Sequence, residues 1–265
     1  MTAHLCVACG TQFPDAAEPP PHCPICADER QFIGHNGQQW TTLEALQKAH
    51  HNRFFQEDGG VWGIVTEPKF AIGQRALIVT AGNQNILWDC VSLIDPATIA
   101  LVSALGGISA IAISHPHYYS SMIEWSRAFG NAPILLHEND RQWVQRPDPA
   151  IHFWRGETHR INDSATLIRL GGHFAGYQVL HSENALFTGD LPQVCLDKRF
   201  VSFMYSYPNY LPLSEANVRR IVAALDPFEY DKLYGAWPGF VIKRDAKAAV
   251  RRSAERYIDA LRAER

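Results

Sequence analysis

Four of the six cysteines in this 265-residue chain fall into two Cys-x-x-Cys pairs, Cys6-Val7-Ala8-Cys9 and Cys23-Pro24-Ile25-Cys26. Each such turn brings two thiolates to one side, so two of them can close a tetrahedral four-sulfur metal site. Four unligated thiols would have no reason to adopt this spacing, with Gly10 after one pair and Pro24 inside the other. The stretch between the pairs carries Pro14, Pro19, Pro20 and Pro21. It is expected to form neither a helix nor a core, and so to need a metal as its staple. Zinc is the first expectation and iron the alternative, since four thiolates accept either. Cys90 and Cys195 stand alone and are read as packed core thiols.

A second constellation is spread along the chain. His115 and His117 lie in Ser114-His115-Pro116-His117-Tyr118-Tyr119-Ser120, after a predicted buried strand Ile108–Ile113 and before a helix with a Ser121/Glu124 capping signature. His173 follows the predicted strand Thr166–Leu170, and Asp190 follows Ala185–Thr188. Ligands of α/β folds collect beyond strand ends, so these four side chains are expected to converge on one point. Each is a potential metal ligand just past a strand end. Tyr118 and Tyr119 either donate a proton and orient an oxyanion or simply pack; a phenol of pKa about 10 is a poor base. His35, His50, His51, His137, His152 and His159 lack partner spacing and are read as structural or solvated, with His181 a candidate behind the ligands.

The elements that must position these residues follow from periodicity. A helical connector is expected from Thr41 to about Phe55, where Leu43, Leu46 and Ala49 recur at helical spacing before the Gly59-Gly60 break. Strands are predicted over Val61–Thr66, Ala76–Thr80 and Ile86–Val91, then a helix Pro96–Leu105 capped by Asp95. A helix Met122–Phe129, a strand Pro133–His137 and a short helix near Asp140–Val144 come next. A strand Tyr177–His181 lies in a second strand-rich block, and helices Ser214–Leu225 and Asp245 to the end complete an α/β (α+β) chain with two sheets flanked by helices. The division expected is a knuckle over 1–35, a connector over 36–60 and one large domain over 61–265.

From about Val61 onward the order of these features resembles the metallo-β-lactamase fold superfamily. Asp89 in Leu87-Trp88-Asp89-Cys90 is similar to the aspartate that braces the metal loop, and His115 and His117 match the leading histidines of the H-x-H-x-D-H motif. His173, in Gly-Gly-His-Phe-Ala-Gly, and Asp190, in Phe-Thr-Gly-Asp, match the third-motif histidine and the shared aspartate. Tyr119 and Ser120 stand where the family has Asp and His, and no histidine follows His181. The resemblance therefore implies a four-layer αβ/βα sandwich with at most one metal in its site. The implied ion is a Zn2+, Mn2+ or Fe2+ held by His115, His117 and His173, whose bound water can ionise near neutral pH, with Asp190 a fourth ligand or the acceptor for that water. The cysteine segment is similar to a zinc ribbon and to the rubredoxin-like module of rubrerythrins.

Composition narrows the function further. With 24 Lys and Arg against 27 Asp and Glu, no basic field favours nucleic acid or an anionic membrane. The uncharged stretch Pro96–Ser114 is broken by Gly106-Gly107 and is read as helix then strand, not as a membrane span. The start Met-Thr-Ala-His-Leu-Cys lacks a signal-peptide pattern, so a cytoplasmic location is expected. The leading expectation is a metal-dependent hydrolase of a small ester, thioester, lactone or phosphoester. The alternatives are a catalytically silent metal-binding scaffold and an iron-dependent electron carrier. The segment Phe200, Phe203, Met204, Tyr205, Tyr207 and Tyr210 is expected to line a pocket, pack in the core or form a homodimer contact.

Overall fold

The computed structural model describes residues 1–57 and 60–263; Gly59 of the expected break and the last two residues of the expected C-terminal helix lie outside the described residues. The cysteine segment has more structure of its own than its prolines suggested. Strands β1 (Thr2–Cys6), β2 (Gln12–Ala16) and β3 (Trp40–Thr42) form a sheet of order β2-β1-β3, and a short helix α1 (Pro24–Ala27) carries Cys26. Pro24 sits in the first turn of α1, where a missing N–H costs nothing. Phe13 packs edge-on against Trp40 at 5.0 Å, and Ile25 is buried among the four cysteines. The expectation of a coreless loop is corrected accordingly.

The connector is only half helix. Helix α2 (Leu43–Ala49) starts at Thr42, whose hydroxyl accepts from the Ala45 amide at 3.1 Å. Helical spacing stops at Ala49, and β4 (His51–Gln56) pairs antiparallel with β5 (Trp62–Glu67). Asn52 and Phe54, at strand spacing, turn inward, and Asn52 donates to the Leu93 carbonyl at 2.9 Å. The helix expected over 50–55 is therefore an edge strand of the main sheet.

That sheet continues with β6 (Ala76–Ala81), β7 (Gln84–Trp88), β8 (Ala110–Ala112), β9 (Ile134–His137) and β10 (Ile151–Trp154), in the order β10-β9-β8-β7-β6-β5-β4. From β7 to β10 the pairing is parallel, with α3 (Pro96–Ala104) and α4 (Met122–Ala128) in the crossovers. Asp95 caps α3, its carboxylate accepting from the Thr98 amide at 2.6 Å. Ser121 does not cap α4 with its side chain; the hydroxyl donates to the Ser92 carbonyl at 2.7 Å, because the loop after β7 runs beside it. Residues 138–143 form a 3-10 turn in place of the short helix expected nearby. No helix among the described residues is long and apolar enough to cross a membrane.

The second sheet contains β11 (Thr158–Asn162), β12 (Ala165–Arg169), β13 (Gln178–Ser182) and β14 (Ala185–Gly189). Two small ribbons follow, β15 (Gln193–Val194) with β16 (Val201–Ser202) and β17 (Met204–Ser206) with β18 (Leu211–Pro212). After α5 (Glu215–Leu225) come β19 (Lys232–Gly235), β20 (Val241–Ile242) and α6 (Ala246–Arg262), giving the sheet order β11-β12-β13-β14-β19-β20.

Alternation along the strands builds the layers. Leu77, Val79, Ile86 and Trp88 meet Leu167, Leu180, Phe187 and Tyr234 between the sheets. Their neighbours Ile78 and Leu87 face the side of α3 and α4, where Val102, Ile123 and Trp125 pack. Ile168, Val179, Leu186 and Leu233 face α5 and α6. The result is the expected four-layer αβ/βα sandwich. One polar side chain stitches its two sheets at the site end. Buried Gln178 donates to the carbonyls of Ile113 and Leu135 at 2.7 and 2.9 Å and accepts from Trp154 Nε1 at 2.6 Å. Gln178→Ala leaves the Ile113 and Leu135 carbonyls and the Trp154 indole N–H of the first sheet buried without partners, so urea unfolding should show a loss of about 3 kcal/mol; a loss below about 0.5 kcal/mol would contradict this stitching role.

Candidate metal centres

In the N-terminal module the β1–β2 turn delivers Cys6 and Cys9, and the start of α1 delivers Cys23 and Cys26. All four are buried free thiols. Sγ of Cys6 lies 3.6 Å from that of Cys26, and Sγ of Cys9 lies 3.8 Å from that of Cys23. A tetrahedron of thiolates about 2.3 Å from its centre has edges of about 3.8 Å, so the cluster fits a four-sulfur ion. Gln38 Nε2 donates to Cys6 Sγ at 3.2 Å, as expected for a sulfur that carries negative charge.

The second centre forms where the sheets end. His115 and His117 lie beyond β8, His173 in the loop after β12, and Asp190 immediately after β14. A donor atom from each lies within 4.8 Å of those from the others, and all four residues are buried. The Nε2 atoms of His115, His117 and His173 have no hydrogen-bond partner. Their tautomers explain why. His173 Nδ1 lies 2.7 Å from the Tyr205 carbonyl, which can only accept, so Nδ1 carries the proton and Nε2 presents a lone pair. Asp89 accepts from the Ser114 amide and hydroxyl at 2.7 and 2.8 Å, and with its hydroxyl proton committed to Asp89 the serine oxygen accepts from His115 Nδ1 at 2.9 Å. His115 Nε2 is then also a lone pair, yet it faces Asp190 Oδ2 at 3.3 Å. Two such atoms repel unless a cation lies between them, so this donor set fits a metal ion.

Electrostatics keep the donors in the binding form. Burial lowers all three histidines, with neighbouring His115 adding to the effect at His117 and His173; His173 falls to about 3. Burial would raise Asp190, but it is held below the usual carboxylate range, with the Tyr118 hydroxyl donating to it. Burial lifts Asp89 to about 7, against the two bonds from Ser114.

The tyrosines separate. Tyr118 donates to Asp190 Oδ1 at 2.5 Å and packs 4.4 Å from the His115 ring. Tyr119 belongs to the cluster behind the first sheet, and among the described residues it makes no ring contact with the three imidazoles. Tyr207 donates to the Asp190 carbonyl at 2.7 Å, so the aromatic segment does reach the site, while Phe203 is core and Tyr210 is exposed. His181 bonds the Glu229 carbonyl at 2.7 Å, on the far end of β13, and plays no part behind the ligands. Cys90 is fully buried as expected; Cys195 is only half-buried. Where a second ion would need ligands, Ser120 bonds Gln74 at 3.3 Å and the Gly235 carbonyl is held by Arg75 at 2.8 Å.

Three contributors escaped sequence reading. Tyr177 stacks on His115 at 5.0 Å, and its hydroxyl ties the Thr188 carbonyl to the Leu191 amide, bracketing Asp190. Phe174 packs 4.9 Å from the His117 ring. Arg30, from the cysteine module, donates to the His173 carbonyl at 2.9 Å. Phe174 was at least visible beside His173, whereas nothing in the residues around Arg30 marks a partner so distant in sequence.

A pH consequence follows from the depressed histidines. A lowered pKa keeps each imidazole neutral below the usual 6.5, so protons do not compete with a metal until more acidic conditions. The affinity of this centre for zinc, measured by competition with a chromophoric chelator, should change less than about threefold between pH 7.5 and 6. Three ordinary imidazoles would lose roughly fiftyfold over the same interval, and a loss of that size would contradict the buried, neutral assignment.

No family model matches the sequence. The uncharacterized protein YmaE of Bacillus subtilis is 46% identical over 272 aligned positions, which span 100% of this chain and 98% of YmaE. Among solved structures, VMB-1 superposes with a TM-score of 0.59 at 14% identity, covering 80% of this chain and 98% of its own. The metallo-β-lactamase FIM-1 of Pseudomonas aeruginosa, in its mono-zinc form, gives 0.57 at 17% identity over 77% of this chain and 95% of its own. The structural likeness establishes the fold, and the end-to-end identity establishes kinship: the chain belongs to the family of YmaE, on the metallo-β-lactamase fold.

Proposed function

We propose that this protein is a single-metal hydrolase of a small ester, thioester, lactone or phosphoester, with His115, His117 and His173 as ligands and Asp190 beside them. The observation that carries this reading is the set of three buried imidazole Nε2 atoms without partners, next to an ionised carboxylate. Zinc is the first candidate for both centres. Mn2+ or Fe2+ also suits the histidine site, and iron the thiols. An ion held there would supply Lewis acidity and a water of pKa about 7.

The chain's own groups divide the remaining work. Asp190 is the carboxylate within reach of the imidazoles and can accept a proton from a water beside them. Tyr118, raised well above 10 by burial and by the charge of Asp190, stays protonated and fixes the orientation of that carboxylate. This supports Tyr118 as a positioning group and not as a base. Tyr119, set back from the imidazoles, carries no proton-transfer role in this reading. Phe174 and Tyr177 exclude bulk water from the ligands, which strengthens every charge interaction inside. A small-molecule substrate suits a site whose donors are all buried. A cytoplasmic setting suits six free thiols, which reducing conditions preserve.

The same burial favours one second reading, a metal-binding scaffold without turnover. An iron-loaded cysteine cluster acting in electron transfer is separated from both by its red visible absorption. The deciding assay uses protein reconstituted with zinc, manganese or iron against a panel of esters, thioesters, lactones and phosphodiesters. His117→Ala should abolish turnover together with metal at the histidine site. Tyr118→Phe should lower kcat about tenfold through loss of one charge-assisted hydrogen bond. Turnover no higher than that of His117→Ala under every metal would establish the scaffold instead.

A further inference from the structure

The two metal centres are joined by a three-residue bridge. Asp28 ends α1, the helix that carries Cys26, and its two carboxylate oxygens accept from Arg30 Nε and Nη2 at 2.6 and 2.8 Å. With the fork fixed in this way, Arg30 Nη1 reaches the backbone carbonyl of His173 at 2.9 Å, and the guanidinium carbon lies 3.9 Å from the centre of the Phe174 ring. Between them, Glu29 offers its carbonyl to the Ser206 hydroxyl and the Asn209 amide, both at 2.7 Å. Ser206 follows Tyr205, whose carbonyl fixes His173 Nδ1. The bridge thus holds His173 twice, by its backbone through Arg30 and by its imidazole through the 205–206 segment.

We propose that Arg30 is a positioning residue that couples the four-cysteine centre to the histidine centre, so that order at Cys26 sets the aim of His173 and with it the affinity of the second site. This rests on the reading that the histidine site holds an ion. Charge alone predicts the opposite effect. A guanidinium near the imidazoles repels an incoming cation, so if Arg30 acted only through its field, removing it would tighten metal binding. If it acts by positioning, removal weakens binding. Coupling of this kind is reciprocal, and an ion at the histidines would in turn tighten the thiol site.

The test is a cobalt(II) titration of the full-length protein with zinc already in the cysteine site, reading the d–d absorption of cobalt bound by nitrogen and oxygen. Arg30→Met should weaken this binding about tenfold, the scale typical for groups that orient metal ligands. Arg30→Lys should weaken it comparably, because an ammonium keeps the charge but cannot span Asp28 and His173 with a rigid fork. Thiolate-to-cobalt bands in a separate all-cobalt sample should show the cysteine site still assembled in both variants. Cys26→Ser should weaken the histidine site as well, and combining it with Arg30→Met should add little, since both break the same connection. Tighter or unchanged binding in Arg30→Met overturns the proposal, as do full rescue by Arg30→Lys or multiplicative effects in the double variant. Wild-type protein that binds no cobalt at its histidines ends the hydrolase reading, and the coupling with it. Normal wild-type binding with an indifferent Arg30→Met ends the coupling alone.

Discussion

Three imidazole Nε2 atoms and a carboxylate, buried together and facing one another, form an arrangement that protein groups alone do not satisfy. A buried polar atom left without a partner costs about 1–3 kcal/mol, and here His115, His117 and His173 each present one. The fold tolerates this because three of the four donors are held from behind by hydrogen bonds, and the His117 ring packs on Phe174. Asp89 and Ser114 orient His115, the Tyr205 carbonyl orients His173, and Tyr118 orients Asp190. These supports come from loops of the first sheet and from the β17 ribbon, while the donors come from the ends of both sheets. The site therefore exists only when the whole sandwich has closed.

The closure has a price in access. The aromatic side chains of Phe174, Tyr177 and Tyr207 crowd the donors, and the cysteine module lays Arg30 across the His173 loop. Such packing raises the strength of charge interactions and limits what can enter. It also makes the N-terminal module part of the site's construction, with Gln12 donating from its backbone to the Ser120 carbonyl at 3.0 Å and Ser92 bonding the Gly10 carbonyl at 3.0 Å.

The positions where the metallo-β-lactamase resemblance would put a second ion's ligands are held in structural hydrogen bonds. Arg75, fully buried, is paired with Glu57 and donates to the Gly235 carbonyl, and burial brings its pKa down to about 9. Ser120 is held between Gln74 and the Cys90 carbonyl. A cation such as Arg75 gripping this loop is hard to reconcile with a second metal there, which agrees with the absence of His and Asp at positions 119 and 120.

Much of the site could be read from the chain itself. Cys-x-x-Cys spacing and histidines placed just past apolar strands are local patterns, and local patterns survive in a linear string of residues. Short apolar, β-branched runs between turn signals likewise marked β6, β7 and β12 to β14, because strands buried on both faces read as continuous apolar stretches. The sequence could not show that residues 51–56 form a strand, since an edge strand takes its identity from a partner, here β5. The two-residue strands β15, β16, β18 and β20 have no periodicity to detect. Nor could sequence separate Tyr118 from Tyr119, adjacent residues whose side chains part only when the loop turns through Pro116–Tyr118. The residue types and their order determined that metal-capable donors would be present and roughly where each would emerge. Only the tertiary structure decided which hydrogen bonds leave the three Nε2 atoms bare and that Arg30 would reach His173, because those contacts join segments that are distant in the chain and meet only once the layers pack.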